Sequence, residues 1–350
     1  MTRLVWIAIG ALVAACSGGG GGEKRQGQAD VPETLAEWGL FADGAQQLPA
    51  DDVHPYEVIA PLYSDYTAKY RFIRLPEGGR IDYRADGPWQ FPEGTVVVKT
   101  FSMPHDQRDP AAGERLLETR LLVRERNHWR PHTYVWNEAQ TEAKRAIAGV
   151  RLPIEWKHFD GGTRSLTYRV PNTNQCHGCH GEHEASELLG VRTAQLDRDF
   201  DFGSGPVNQI DHFAALGLFA QAPPAQRERL VDPFGDAPLE QRARAYLEAN
   251  CAHCHHENGA AWETGLWLST ATTNPVDLGI CRRPFSAGEA TGGRPFDIVP
   301  GHPEQSVMVF RMASADPEIK MPELPTQIPH DEAIELITDW IAGMSPAGCP

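Results

Sequence analysis

Two copies of a five-residue motif constrain this chain more than any other feature. The motif reads CHGCH at residues 176–180 and CAHCH at residues 251–255. Two cysteines one helical turn apart can each form a thioether to a haem vinyl group, while the histidine that follows presents its imidazole to the iron. The pattern C-x-x-C-H is therefore typical of c-type haem attachment. The anchors predicted for two covalently bound haem c groups are Cys176, Cys179, Cys251 and Cys254.

A zinc site and a thiol redox switch are the two alternatives that such cysteine pairs raise. A zinc site with four cysteines usually draws its two C-x-x-C pairs from a short ribbon. Here 75 residues separate Cys176 from Cys251, and both motifs end in histidine. A thioredoxin-like switch needs its C-x-x-C at a strand-to-helix turn of a βαβ unit, and neither flank has that pattern. Both comparisons favour haem.

The axial ligands of the two irons follow in part from the motifs. His180 and His255 are expected to be the proximal imidazoles. Class I cytochromes c resemble this chain in placing a methionine on a proline-bounded loop before the last helix. The segment IKMPELP supplies Met321 at that place, and Pro322 and Pro325 stiffen the loop. The resemblance implies that Met321 is the sixth ligand of the second haem iron.

The sixth ligand of the first iron does not follow from the motif. No methionine lies between His180 and Met308, so the class I arrangement is excluded within this segment. His212, which lies 32 residues beyond His180 on an amphipathic segment, is the leading candidate. The alternatives are His158, His105, Met103 or an open site.

The N-terminus has the pattern of an export signal. One basic residue precedes an uncharged apolar run from Leu4 to Ala15. That run is shorter than the ~20 residues that a membrane-spanning helix needs, and small residues follow it as in a secretory signal. The border Val-Ala-Ala-Cys16 resembles a bacterial lipobox, which implies removal of residues 1–15, lipidation of Cys16 and anchoring in a membrane. Residues 16–30 include five consecutive glycines and are expected to form a flexible tether.

The net charge and the remaining cysteines indicate which partners and which kind of compartment suit the chain. The net charge of −15 becomes −16 once residues 1–15 are removed, because Arg3 is their one charged residue. Nucleic acid is therefore not expected as a partner, and a basic protein surface is more suitable. Cys281 and Cys349 are left over after the two motifs and Cys16. In an oxidising compartment they are expected to form a disulfide.

Sequence patterns divide the mature chain into three parts. Residues 31–170 contain short β-like runs such as KYRFIRLP, GTVVVKTF and HTYVWN, separated by turn clusters, which predicts a mostly-β, sandwich-like domain. Residues 171–235 are the first haem-binding segment. In residues 236–350, apolar stripes in PLEQRARAYLEAN and DEAIELITDWIAGM resemble the crossing terminal helices of class I cytochrome c. We therefore expect a multi-domain fold, with mostly-α cytochrome c-type haem domains after the β domain.

Beyond the motifs, the chain after the tether resembles a family of bacterial di-haem c-type cytochrome lipoproteins, known mostly as conserved hypothetical proteins. The stretches that carry the resemblance include APLYSDYTAKYRFIRLPEG, PNTNQCHGCH, AQLDRDFDFGSGPVNQIDHFAALGL and FDIVPGHPEQSVMVFRM. The resemblance implies a redox partner protein in the periplasm or at the cell surface. A β-helix-repeat protein, which often accompanies this family, is a candidate for that partner. The outer membrane is the favoured location of the anchor.

Two functions of different class are open to such a chain. The first is single-electron transfer through two haems, without substrate chemistry at either iron. The alternative is a di-haem peroxidase-like oxidoreductase with an open site at the first haem, which the missing methionine favours. Di-haem peroxidases, however, resemble two similar cytochrome domains, and only the second segment has that pattern. We expect an electron carrier rather than a catalyst; a β domain that binds a glycan or a partner protein is a third alternative.

Overall fold

The largest element of the fold is a six-stranded antiparallel sheet. A computed structural model describes residues 31–181, 187–285 and 287–350, and residues Glu33–Pro350 form one compact unit. The predicted signal peptide, the lipidation site Cys16 and the tether lie outside the described residues.

Each strand of the large sheet pairs with its neighbours in the sequence, so the sheet is a meander. Its strands, in order across the sheet, are β3 (Val53–Pro55), β4 (Ala68–Arg74), β5 (Val96–Pro104), β6 (Glu114–Glu125), β7 (His128–Trp136) and β8 (Ala143–Arg145). Three antiparallel ribbons accompany it: β1 (Phe41–Asp43) with β2 (Leu48–Pro49), β9 (Val150–Lys157) with β10 (Thr163–Val170), and β11 (Asp199–Asp201) with β12 (Pro206–Asn208).

The two faces of the large sheet differ in polarity. Side chains alternate between the faces of a strand, and one face buries an apolar cluster that includes Phe72, Val98, Leu121 and Tyr134. The opposite face packs the β9–β10 hairpin at one end, through an apolar cluster that includes Trp156. The middle of that opposite face carries charged side chains toward the first C-x-x-C-H motif. Its other end contributes Ile73 and Val97 to a further apolar cluster.

The helices are short, and the expectation of mostly-α haem domains is wrong. The α-helices are α1 (Thr173–His180), α2 (Thr193–Leu196), α3 (Gln209–Ala215), α4 (Leu239–Asn250), α5 (Val307–Met312) and α6 (Asp331–Ala342). Single-turn 3-10 helices span Ala36–Trp38, Pro110–Ala112, Trp262–Thr264, Gly288–Thr291 and Pro303–Gln305. Helical residues make up only 21% of the described chain, and the structure is mostly β with several sheets.

Glycine and proline explain why the helical expectation failed. Residues 251–306 contain seven glycines and five prolines, which favour turns and interrupt helices. The described part of this segment accordingly forms turns, loops and two 3-10 helices before the one at residues 303–305. The helical pattern was correct for the amphipathic segment that became α3 and for the segments that became α4 and α6.

Helices α4 and α6 pack against each other and hold the second motif. Their contact is an apolar cluster that includes Ala243, Leu247, Ile337 and Trp340. No helix in the described part of the chain has the length and apolar character needed to cross a membrane.

A disulfide joins two distant parts of the C-terminal region. Cys281 and Cys349, the pair left over after the two motifs and Cys16, are bonded; their Cα atoms are 5.4 Å apart and their sequence separation is 68. The bond holds the last residues of the chain beside the isolated β-bridge between Ile280 and Ile298.

Candidate metal and cofactor site

The first motif lies on a helix with a well-defined start. The side chain of Asn172 accepts a hydrogen bond from the backbone N–H of Gln175 at 2.9 Å, and the Gln175 side chain accepts one from the N–H of Asn172 at 3.0 Å. This capping box satisfies two N–H groups at the start of α1. It fixes the turn on which Cys176, Cys179 and His180 follow.

His180 is oriented as a metal-ligating imidazole. Its Nδ1 lies 2.9 Å from the carbonyl oxygen of Glu187, and because a carbonyl only accepts, Nδ1 carries the proton and donates. The other ring nitrogen, Nε2, is then unprotonated and available as a ligand, which is the usual arrangement around a ligating histidine.

The second motif follows directly after α4. Helix α4 ends at Asn250, and the N–H of His255 donates to the carbonyl of Cys251 at 2.9 Å, so the motif closes one further turn. Burial lowers the pKa of His255 to about 4, and the positive charge of Arg311 acts in the same direction. His255 is therefore neutral near pH 7, which is the form that binds a metal.

The two motifs meet in space although 75 residues separate them in sequence. The ligand atoms of Cys179, His253 and Cys254 all lie within 4.8 Å of one another. A hydrogen bond with Cys254 lowers the pKa of the Cys179 thiol, against the opposite effect of burial. One cysteine of each predicted haem-attachment pair is thus adjacent to one cysteine of the other pair.

This cluster is not a complete structural zinc site. Structural zinc almost always takes four protein ligands, and among the described residues only three such side chains come together here. Cys176 and Cys251, the other motif cysteines, are not part of the group. The three-ligand group is a consequence of the two motifs lying side by side.

Two cavities adjoin the motifs, and each is lined by residues of both. The first has a volume of about 1120 Å³ and lies between α1, the charged face of the large sheet and the loop around residue 320. The second has a volume of about 320 Å³ and adjoins Cys251, Cys254 and His255. Sites for small molecules and cofactors commonly occupy about 300–1,000 Å³, so both cavities are of a suitable size.

Three methionines line the second cavity. Met321, the residue predicted from the IKMPELP loop, is one of them, and Met308 and Met312 on α5 are the others. The structure therefore brings Met321 into the same cavity as His255. It also brings two further thioethers there, which belong to the apolar cluster between α4 and α6 as well.

His212 is not near the first motif, which corrects its assignment as leading sixth ligand. Helix α3 packs into the core through Ile210 and Phe213, and this packing turns His212 toward Phe202, on which its ring stacks at 3.8 Å. Neither cavity is lined by it, nor by the alternatives His158, His105 and Met103. The periodicity of α3 predicted a helix but not the direction in which that helix faces.

Several residues of the first cavity were missed by sequence reasoning. Arg71, Lys99 and Arg120 lie on three strands of the large sheet and line the cavity beside the first motif. Lys320, next to Met321, lines both cavities and donates to the carbonyls of Pro322 and Glu323 at 2.7 and 2.6 Å. The first three come together only through strand pairing, which the sequence does not show. Lys320, in contrast, lies in the KMPELP segment that the sequence had already indicated.

Comparisons with known proteins identify no relative. No family model matches the chain, and neither the curated proteins nor the solved structures contain a match. The di-haem lipoprotein family stays a prediction from the sequence, and the geometry of the chain carries the functional argument.

Proposed function

We propose that this chain is an exported, lipid-anchored di-haem c-type cytochrome that transfers single electrons. The observation that carries the proposal is the adjacency of the two C-x-x-C-H motifs, with Cys179 and Cys254 within 4.8 Å of each other and a cavity beside each motif. The repeated motif supports the cofactor, and the adjacency supports electron transfer.

The residues present fit a covalent haem at both places. At the first, Cys176 and Cys179 lie on one turn of α1 and His180 has its Nε2 free. At the second, a neutral His255 and the thioether of Met321 line one cavity with apolar side chains that include Leu247. A haem held in this way supplies an iron that cycles between its ferric and ferrous states, one electron at a time.

The chain's own role is to hold two attachment points side by side. Electron tunnelling slows steeply as the distance between donor and acceptor grows, so adjacent attachment points favour transfer within the molecule. The α4–α6 packing and the capping box of α1 fix the two motifs independently. Both the helix packing and the capping box are contacts within the protein, so they hold the motifs in place without a substrate.

The location and partner belong to the same proposal. Lipidation at Cys16 would anchor the chain in a membrane, and the outer membrane is favoured. The five glycines after Cys16 would serve as a tether between this anchor and the folded part of the chain. The redox partner is a periplasmic or surface protein, for which a β-helix-repeat protein is our candidate. The negative charge of the mature chain suits a partner with a basic surface.

One observation favours the peroxidase-like alternative. The first cavity, at about 1120 Å³, is much larger than the second, and its described lining includes no methionine. It therefore has room for a small substrate beside an iron with an open sixth position. We keep this as the second candidate function.

Spectroscopy separates the two functions. The chain is expressed with a c-type haem maturation system, and absorption and electron paramagnetic resonance spectra are recorded in both oxidation states. We expect two low-spin haems that accept one electron each and do not react with peroxide. The variant Cys176→Ala with Cys179→Ala, as a control, should keep only the second haem. A high-spin haem that binds peroxide or cyanide would instead support the enzyme.

A further inference from the structure

Three cations form a row across the middle of the large sheet. In the register of the strands, Arg71 on β4 is directly opposite Lys99 on β5, and Lys99 is directly opposite Arg120 on β6. Residues opposite each other on neighbouring strands share a face. We call these three side chains the cation row.

Like charges in this arrangement repel and require compensation. Directly opposite like charges destabilise a sheet, and burying a charge without a partner costs more. Arg71 has a partner, Glu57, at 3.1 Å. Arg120 forms two hydrogen bonds with the fully buried carboxylate of Glu118, at 2.8 and 2.6 Å.

Lys99 has no such partner. Within the described chain, its Nζ forms no hydrogen bond and no ion pair, and it lies 4.8 Å from the centroid of the Phe101 ring. Arg120 lies over the same ring at 4.3 Å. Burial lowers the pKa of Lys99 well below its usual value, and the neighbouring Arg71 lowers it further. The three basic side chains of the row thus have two carboxylate partners, Glu57 and Glu118.

All three cations face the first cavity. They line it together with Cys176 and His180 of the first motif. The residues that line this cavity also include Glu187, Glu248 and Glu323, none of which forms an ion pair with Lys99 in the described chain. A carboxylate on a group that occupies the cavity would therefore have an unpaired ammonium to bind.

We propose that the cation row binds the carboxylates of the group in the first cavity, which are the propionates of the first haem. The inference rests on the proposed function and adds the site that receives those carboxylates. Guanidinium and ammonium groups are the usual partners of carboxylates in proteins. A propionate beside Lys99 would supply the carboxylate partner that this lysine lacks. The large sheet then forms one wall of the haem site.

Reduction potentials test this assignment. The variant Lys99→Met removes the positive charge, and Lys99→Arg keeps it. Lys144→Met removes a lysine from β8 of the same sheet, where the side chain is 74% exposed and paired with Glu142. Both potentials are measured by spectroelectrochemistry in preparations that hold two haems per chain.

In Lys99→Met, the reduction potential of the first haem should change and that of the second haem should not. A positive charge near a haem favours the reduced form, so Lys99→Met should lower the potential of the first haem. We expect a shift equal to about a tenfold change in the ratio of oxidised to reduced haem, or about 59 mV for one electron. Lys99→Arg and Lys144→Met should leave both potentials near those of the wild type, and the low-spin spectra should not change.

Different results would overturn the inference and the proposed function on which it rests. Two intact haems with unshifted potentials in Lys99→Met would overturn the inference alone. A changed axial-ligand spectrum in that variant would do the same, because Lys99 would then bind the iron. Wild-type protein without covalent haem would defeat the proposed function itself. If Lys99→Met does not fold, the propionate bending bands in resonance Raman spectra are compared between wild type and Lys99→Arg, and unchanged bands would overturn the inference.

Discussion

His330 lines the second cavity and is surrounded by aromatic side chains. Its ring stacks on Tyr63 with the centroids 4.0 Å apart and an interplanar angle of 8°. Its Nδ1 lies 3.1 Å from the hydroxyl of Tyr246. Burial lowers the pKa of His330 from 6.5 to about 3, and the charge of Lys69 contributes in the same direction. The folded chain therefore holds this imidazole neutral.

The lowered pKa of His330 predicts an acid-sensitive contribution to stability. Between pH 6.5 and about 3 the unfolded chain binds a proton at this residue that the folded chain does not. The contribution is complete above pH 6.5 and is lost as the pH falls toward 3. The variant His330→Gln should reduce the slope of unfolding free energy against pH in this range by up to about 1.4 kcal/mol per pH unit. Urea unfolding at several pH values measures that slope, and an identical slope in wild type and His330→Gln would refute the assignment to His330.

Residues within a local motif could be selected from the sequence alone. The motif cysteines and His180 required only their spacing, because one turn of chain sets their geometry. His212 could not be assigned in the same way, since its position depends on how α3 packs through Ile210 and Phe213. The distance between a histidine on an amphipathic segment and an iron bound elsewhere in the chain is set by the tertiary fold, which the sequence pattern does not give.

Two elements offer a thioether to the second cavity. The loop between α5 and α6 contributes Met321, and α5 itself contributes Met308 and Met312. Met308 and Met312 are also members of the apolar cluster between α4 and α6, whereas Met321 is not. The loop is therefore the better source of an iron ligand.

Substitution of each methionine identifies the ligand. Methionine with histidine ligation raises a haem potential, so Met321→Leu should lower the potential of the second haem by at least the equivalent of a tenfold change, about 59 mV. Its methionine-to-iron charge-transfer band should disappear. Met308→Leu and Met312→Leu should keep the band and the potential. Loss of the band in either α5 variant would transfer the role to that helix.

At the level of elements, the sequence predicted α4 and α6 but not their surroundings. Both helices have an apolar stripe, which periodicity reveals. The segment between them is held by turns, by the Cys281–Cys349 disulfide and by isolated bridges such as that of Phe296 with Ser306. These contacts join residues far apart in sequence. No local sequence pattern indicated them, and the expectation of mostly-α domains was therefore wrong.

The whole molecule combines a sheet and two motifs around shared cavities. Arg71, Lys99 and Arg120 stand in three separate strand segments, and each alone reads as an ordinary polar residue of an alternating strand. Their alignment depends on the register of the sheet. The meeting of Cys179 with Cys254 likewise depends on how α1 and α4 pack, and sequence spacing alone could not predict it.

Peptide mass spectrometry of the exported, matured chain tests the central claim most directly. The chain is purified from cells that attach c-type haem, digested, and its metal content is determined in parallel. We expect two haem-bearing peptides, one with residues 176–180 and one with residues 251–255, and no zinc. Unmodified motif peptides from a chain that holds zinc at Cys179, His253 and Cys254 would contradict the account.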